Sequence, residues 1–250
     1  MISSLFHAYL YNPIYNLLVF FVGVVPGGDV GLAVVAVTIV VRAIIFPLSY
    51  AAVRTQQAMR VVEPELKEIR EKFKGDREKQ AKETFALYKK YRINPFASFA
   101  TILIQLPILL ALYFVFNNEA LPQVDLAILY SFITIPAVIS TTFLGIFSIT
   151  GKSIILAAIA GATQFLQAYI AIPTPPKKSE KSTMQEDFGR AMAMQARYVI
   201  PLIIAFVSYE ASGAVALYFV TSNIVTILQE LWVRRGGTNK KITSVEPVVS

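Results

Sequence analysis

Apolar residues in this chain gather into continuous runs of about twenty, the length an α-helix needs to cross a hydrocarbon core ~30 Å thick. A soluble domain would spread the same residues in amphipathic stripes. Of 250 residues, 55% are hydrophobic and 16% charged, so the runs dominate the chain. They point to an all-α polytopic membrane protein. Cysteine is absent and His7 is the single histidine, which excludes disulfides, Cys-ligated zinc and thiol nucleophiles. No cofactor or metal is expected. The net charge of +7 lies between the apolar runs, where the expected partners are anionic lipid, ribosomal RNA or acidic chains rather than DNA.

The basic residues set the expected topology. Residues 1–41 hold no Lys or Arg, 54–92 hold twelve, 93–176 hold Lys152 alone, 177–197 hold five, 234–250 hold four, and the last is Arg42. Basic connecting segments stay in the cytoplasm. Segments 54–93 and 173–190 and the tail 234–250 are therefore expected inside, and the N-terminus outside. Span 1 is then 31–53. Three apolar stretches separate the two inner segments, yet only an even number of crossings returns the chain to the same side. Stretch 126–149 is the one expected not to span, because Pro136 interrupts it and Ser131, Thr134, Ser140, Thr141, Thr142 and Ser148 line it. It belongs to an external hydrophobic loop, 117–152, between span 2 (94–116) and span 3 (153–172). Spans 4 (191–210, bent at Pro201) and 5 (213–233) follow, joined by a tight outer turn.

Residues 1–30 form an outer interfacial helix and turn on this reading. Residues 5–25 are nearly long enough to cross, but Tyr9, Tyr11, Asn12, Tyr15 and Asn16 favour the headgroup region; a spanning helix is the alternative. In the inner segment, Met59, Val62, Leu66, Ile69 and Phe73 repeat at 3-4-3-4 spacing, Lys74-Gly75-Asp76 turns the chain, and Ala81, Phe85 and Tyr88 resume the stripe. Two antiparallel amphipathic helices are predicted, with Pro64 either in a first turn or at a kink.

Arg42 lies midway along span 1, where a guanidinium costs ~2.5 to 3.5 kcal/mol on insertion scales. An internal salt bridge would need an acid, and those nearest a span interior, Glu210 and Glu230, fall near span ends. The alternative is a watered cavity facing Arg42, lined by Gln105, Gln164, Gln167, Ser222, Asn223 and Thr226. Each of these could instead hydrogen-bond between helices. Gly151-Lys152-Ser153 lacks the upstream glycine of a phosphate loop, and no HExxH, GxSxG or intramembrane carboxylate cluster is present. The chain is not expected to be an enzyme.

Asp29-Val30-Gly31-Leu32 with Thr38-Ile39-Val40-Val41-Arg42-Ala43-Ile44-Ile45-Phe46-Pro47 resembles the Arg-bearing first core span of the YidC-type membrane protein insertases. Similar matches follow in order: Gln57-Ala58-Met59 with Glu63-Pro64-Glu65-Leu66; Asn94-Pro95 with Leu103-Ile104-Gln105-Leu106-Pro107; Gln164-Phe165-Leu166-Gln167; and Ser212-Gly213 with Leu217-Tyr218-Phe219-Val220-Thr221-Ser222-Asn223. The resemblance implies a hydrophilic groove open to cytoplasm and lipid, closed outside, with the Arg within. It implies nascent membrane proteins and the bilayer as partners, with the ribosome and a Sec channel as further ones. Unlike some relatives, the chain shows no large external domain before the first core span and no N-terminal cysteine for a lipid anchor. Its short basic tail, Arg234, Arg235, Lys240 and Lys241, argues against strong ribosome docking through a long extension.

The expected activity is insertion of nascent chains into the plasma membrane. Arg42 would draw an acidic or polar tail into the groove, and transfer of the apolar segment into lipid would drive the step without nucleotide. A small-anion carrier or channel using Arg42 is the alternative from another class; no internal repeat supports it.

Overall fold

The computed structural model describes residues 2–91, 93–94, 97–118, 122–172 and 184–237. Pro95, most of the loop 173–190, and the tail beyond 237 with Lys240 and Lys241 lie outside the described residues. The elements in chain order are α1 (Ile2–Phe6), a π turn (His7–Tyr11), α2 (Asn12–Val24), α3 (Val30–Ile44), α4 (Phe46–Val61), α5 (Glu63–Lys72), α6 (Arg77–Lys90), α7 (Ala97–Asn118), β1 (Thr142–Phe143), β2 (Phe147–Ser148), α8 (Ile154–Ala171), α9 (Met184–Met194), a second π turn (Gln195–Val199), α10 (Ile200–Ala211) and α11 (Gly213–Gly237). Ser4–Val24, Ile154–Ala171, Arg190–Ala211 and Gly213–Arg235 are long and apolar enough to cross a membrane, and α3 and α4, bent at the break between them, are so only when taken together. Helix α7 adds 22 residues. This is a polytopic helical membrane architecture.

Prolines explain the irregularities. Span 31–53 is not one helix: α3 stops at Ile44 and α4 starts at Phe46 with Pro47 in its first turn. Proline has no N–H to donate, and its ring collides with the carbonyl four residues back, here Ala43. Each π turn lies just before another proline. Asn12 N–H reaches the His7 carbonyl ahead of Pro13, and Ile200 N–H reaches that of Gln195 ahead of Pro201. The widened turn absorbs the clash that would otherwise kink the helix sharply. The N-terminal stretch, read from sequence as interfacial with a spanning alternative, is thus 21 helical residues from Ser4 to Val24, which is spanning length.

Two compact units divide the chain. The first comprises Met1–Ile44 and Gln105–Ile227, the second Ile45–Ile104 and Leu228–Ser250.

In the first unit α2 buries Ile14, Tyr15, Leu18, Val19 and Val22, one face of a helix by their spacing, and packs along α3. Helix α8 buries small residues, Ala157, Ala160, Gly161 and Ala168, and α10 packs on it. A β-carbon at Gly161 would sit 2.8 Å from the Ala205 β-carbon, so glycine permits this close approach, as small residues do between helices in lipid. Burial covers 61% of the apolar window in α11 but 17% of that in α9–α10, which makes α11 the inner helix and α10 a peripheral one.

Residues 122–150 contain no helix. They form turns and a two-stranded hairpin, β1 antiparallel to β2 with Thr142 opposite Ser148. Helix ends and side chains hold this segment. Ser140 N–H donates to the Gly28 carbonyl and Val30 N–H to that of Ser140, both at 2.9 Å. Asp29, buried, accepts from Leu32 N–H at 3.0 Å, starting α3, and from Leu144 N–H at 2.7 Å, fixing the hairpin. Asn16 clamps the start of the segment, donating to the Ile128 carbonyl at 2.8 Å and accepting from Tyr130 N–H at 2.6 Å. At its end Gly213 and Ala214 N–H groups reach the Gly151 and Ile149 carbonyls, both at 2.9 Å. Gly28 lies at φ +62°, and a β-carbon there would strike the Val138 carbonyl. Glycine is required on both counts.

In the second unit α5 and α6 form the hairpin. Pro64 sits in the first turn of α5, Gly75 turns at φ +102°, and the Asp76 carboxylate caps α6 by accepting from Lys79 N–H at 3.0 Å. Its core is Val62, Leu66, Leu87 and Ile93, with Met59, Ile69, Tyr88 and Tyr91 packed around it. The returning arm therefore differs from the expected Ala81-Phe85-Tyr88 stripe: Ala81 is exposed and Phe85 is 63% exposed. With α6 starting at Arg77, the inner face passes through Gln80, Thr84, Leu87 and Tyr91, so two polar residues occupy positions the apolar pattern could not mark. The Tyr91 hydroxyl donates to the Glu65 carboxylate, and Lys90 pairs with it at 3.3 Å. In the same unit α4 meets the end of α11: Trp232 lies 6.0 Å from Phe46 and 5.8 Å from Tyr50 between ring centres, Ser49 bonds Gln229 at 3.0 Å, and buried Glu230 accepts from Arg234 at 3.1 Å.

Candidate functional site

Arg42 lies in the last turn of α3, half-buried. The break that Pro47 imposes leaves the final carbonyls of α3 without helical partners, an end where the helix dipole favours a cation. The guanidinium donates to the Ser222 hydroxyl of α11. One turn earlier on α11 stands Tyr218, 2% exposed, whose hydroxyl meets Ser222 and accepts from the Gln105 amide of α7. Three helices of one unit thus contribute to a chain Arg42–Ser222–Tyr218–Gln105, every member but the Arg uncharged.

No carboxylate pairs with Arg42 among the described residues. Glu210 is taken by Lys152 at 2.6 Å and Glu230 by Arg234 at 3.1 Å. A salt bridge from either acid is therefore not what holds Arg42. Toward the N-terminus of α3 the same helix turns apolar: Val30, Ala33, Val34 and Val37 are all at most 1% exposed, and Thr38 returns its hydroxyl to the Val34 carbonyl at 2.7 Å. Polar groups free to meet a ligand are thus confined to the Arg42 end of α3.

The other expected site residues lie apart from this chain of bonds. Asn223 donates to the Thr163 hydroxyl of α8 at 3.2 Å, an interhelical fastening, and Thr226 returns its hydroxyl to the Ser222 carbonyl at 2.8 Å. Gln164 donates to Gln167 at 3.2 Å, a half-buried pair on α8. Tyr218 is the member that residue-type reasoning passed over. Its signal was spacing, since position 218 is four residues before Ser222 and hence on the same face. A further guanidinium, this one buried, was likewise counted only as a loop charge: Arg197, 3% exposed, lies 4.1 Å from the Tyr169 ring centre and 6.0 Å from that of Tyr198. Such contact offsets part of the cost of burying the charge.

Comparison with known proteins bears on this arrangement. Residues 20–241 match the family model described as 60 kDa inner membrane protein. A Clostridium tetani protein named membrane protein insertase YidC is 29% identical over 219 residues, which cover 86% of this chain and 88% of that protein. Proteins of the same name from Haemophilus influenzae and Pseudomonas entomophila are 30% and 31% identical over 236 and 208 residues. The match covers 94% and 83% of this chain but only 38% and 32% of those two relatives.

Proposed function

This chain belongs to the YidC-type family of membrane protein insertases, and we propose that it moves nascent membrane proteins from the cytoplasm into the bilayer of the cell membrane. The observation that carries the reading is the uncharged company of Arg42. A guanidinium held by a hydroxyl group keeps its full charge available to a passing carboxylate, whereas one locked to a carboxylate would not. Short acidic or polar tails are drawn to Arg42 in a hydrophilic groove, with Ser222, Tyr218 and Gln105 shaping its wall and Gln164, Gln167 and Thr226 lining it further out, where Asn223 fastens α11 to α8. The buried apolar turns of α3 and the hydrogen-bonded 122–150 segment support closure on the outer side. The apolar part of the substrate then leaves for lipid, at ~25 cal/mol for each Å2 of apolar surface removed from water.

On this reading Ser4–Val24 lies along the outer leaflet rather than crossing, which leaves the N-terminus outside and the C-terminus in the cytoplasm, with the α5–α6 hairpin receiving chains as they leave the ribosome, alone or beside a Sec channel. The test is photocrosslinking from position 42 during translation of a short membrane protein. A nascent-chain adduct is expected; its absence together with saturable binding of a small anion would favour a carrier.

A further inference from the structure

We infer that the segment 126–149 is itself a lipid-binding element, inserting the apolar side chains it displays among the acyl chains of the leaflet at its end of the first unit. The inference goes beyond the insertase reading and does not depend on it, since lipid contact is measured with no substrate present.

Three observations carry it. The first is what the segment displays. Phe132, Ile146, Leu126, Val138, Leu144 and Ile135 are between 52% and 80% exposed. No Asp, Glu, Lys or Arg occurs from residue 126 to 151, so the surface offers nothing for a charged partner to recognise, and its exposed hydroxyls, Ser131, Thr134 and Ser148, suit the headgroup level while the apolar side chains reach below it. The second is that the display is built. Asn16, Asp29, Gly28 and the start of α11 hold the backbone at residues 128, 130, 140, 144 and 149 at 2.6–2.9 Å, so the displayed side chains stand on an anchored backbone.

The third is the hairpin tip, Leu144-Gly145-Ile146. Leu144 is the one described non-glycine residue at positive φ, +53°. Asn, Asp or Gly would occupy that backbone with less strain. A branched apolar side chain held there at 57% exposure leaves most of its surface without protein packing. Insertion into hydrocarbon is the compensating term that physical chemistry offers. The surface also continues into one that must face lipid: Ile154 and Ile155, 72% and 55% exposed, open the spanning helix α8. Lys152 and Glu210, paired beside Tyr209, mark the polar level next to it.

The experiment uses the whole protein in vesicles of phosphatidylcholine with one-third phosphatidylglycerol. A phosphatidylcholine with a diazirine on its acyl chain is photolysed, and the labelled peptides are mapped by mass spectrometry. Adducts in 126–149 are expected at a level comparable to those on Leu202 and Phe206 of α10. Labelled α10 with an unlabelled 126–149 would overturn the inference and leave these side chains for a protein partner. As a second measurement, single cysteines replace Phe132, Ile146 and, as a control, Gln123 in the cysteine-free chain and carry an environment-sensitive fluorophore. Positions 132 and 146 are expected to be quenched by acyl-chain nitroxides roughly threefold more than position 123, and by aqueous iodide roughly threefold less. Equal iodide quenching at all three positions would refute lipid insertion.

Discussion

Replacing Arg42 tests the charge mechanism most directly, because the structure separates its electrostatic from its structural role. Loss of the side chain removes one hydrogen bond, to Ser222, which keeps Tyr218 as a partner. That structural cost is about 1.5 to 3 kcal/mol, since the donor is charged, and is the same for every substrate. The electrostatic loss is not. A substrate carboxylate ~4 Å from the guanidinium gains ~1 kcal/mol where water screens it and ~4 kcal/mol at the effective dielectric of a protein surface. Insertion of an acidic-tailed protein by Arg42→Ala is therefore expected to fall roughly 5-fold at least and roughly 1,000-fold at most, with a neutral-tailed twin changed less than about twofold. Arg42→Lys keeps sign and position but loses the planar fork, and should retain much of the activity. Arg42→Glu should be the most severe. The assay is insertion of substrate pairs differing only in tail charge, with each variant at matched abundance. Equal loss for charged and neutral tails would refute the attraction mechanism, and loss of protein level in all three variants would make Arg42 a structural residue.

Three further outcomes are expected. Cysteines placed at Gly75 and Gln123 should be labelled from opposite faces of the membrane, the first only from the cytoplasm; labelling of position 123 from the cytoplasm would overturn the proposed topology. Asp29→Ala should cost about 1.5 to 3 kcal/mol for the bond to Leu144 N–H alone, seen as a lower Tm and faster amide exchange across 138–146, while Asp29→Asn, which keeps one acceptor, should lose less. The Tyr91 hydroxyl and Lys90 hold the Glu65 carboxyl below its ordinary 4.5, so this link tightens the hairpin above pH 4.5 and its contribution disappears as pH falls through the lower folded value. Proteolysis between α5 and α6 should accelerate over that acid range, and in Glu65→Gln should be independent of it.

Much of this molecule could be read from residue order. Runs of apolar residues mark α7, α8, α10 and α11, and Pro136 with its hydroxyl neighbours marks the stretch that forms no helix. The hairpin was visible in its first arm, where Val62, Leu66 and Ile69 obey helical spacing, and hidden in its second, where Gln80 and Thr84 occupy inward positions that only packing decides. Pro47 was visible, but an apolar run that continues through it conceals the break between α3 and α4. Among the site residues, Arg42 announces itself by its cost in lipid. Its connection to Gln105 could not be read, because it passes through Tyr218, an ordinary aromatic in an apolar helix until its hydroxyl is placed. Asn223 shows the converse: a polar residue in a span, used to fasten α11 to α8.

The π turn before Pro201 changes how this region counts. An α-helix advances ~100° per residue, and a π turn houses one residue more than the α-helical path it replaces. Across Gln195–Val199 the helical phase therefore slips, and the sides of α9 bearing Met192 and Met194, 52% and 43% exposed, are out of register with the sides of α10 that a straight helix would continue. Deleting one residue between 195 and 199 would restore α-helical phase and swing those methionines ~100° around the axis of α10, withdrawing Arg197 from Tyr169 in the same movement. A single codon in this stretch is thus a rotary adjustment of everything on its N-terminal side, whereas a codon lost from an exposed turn would shorten the chain and turn nothing.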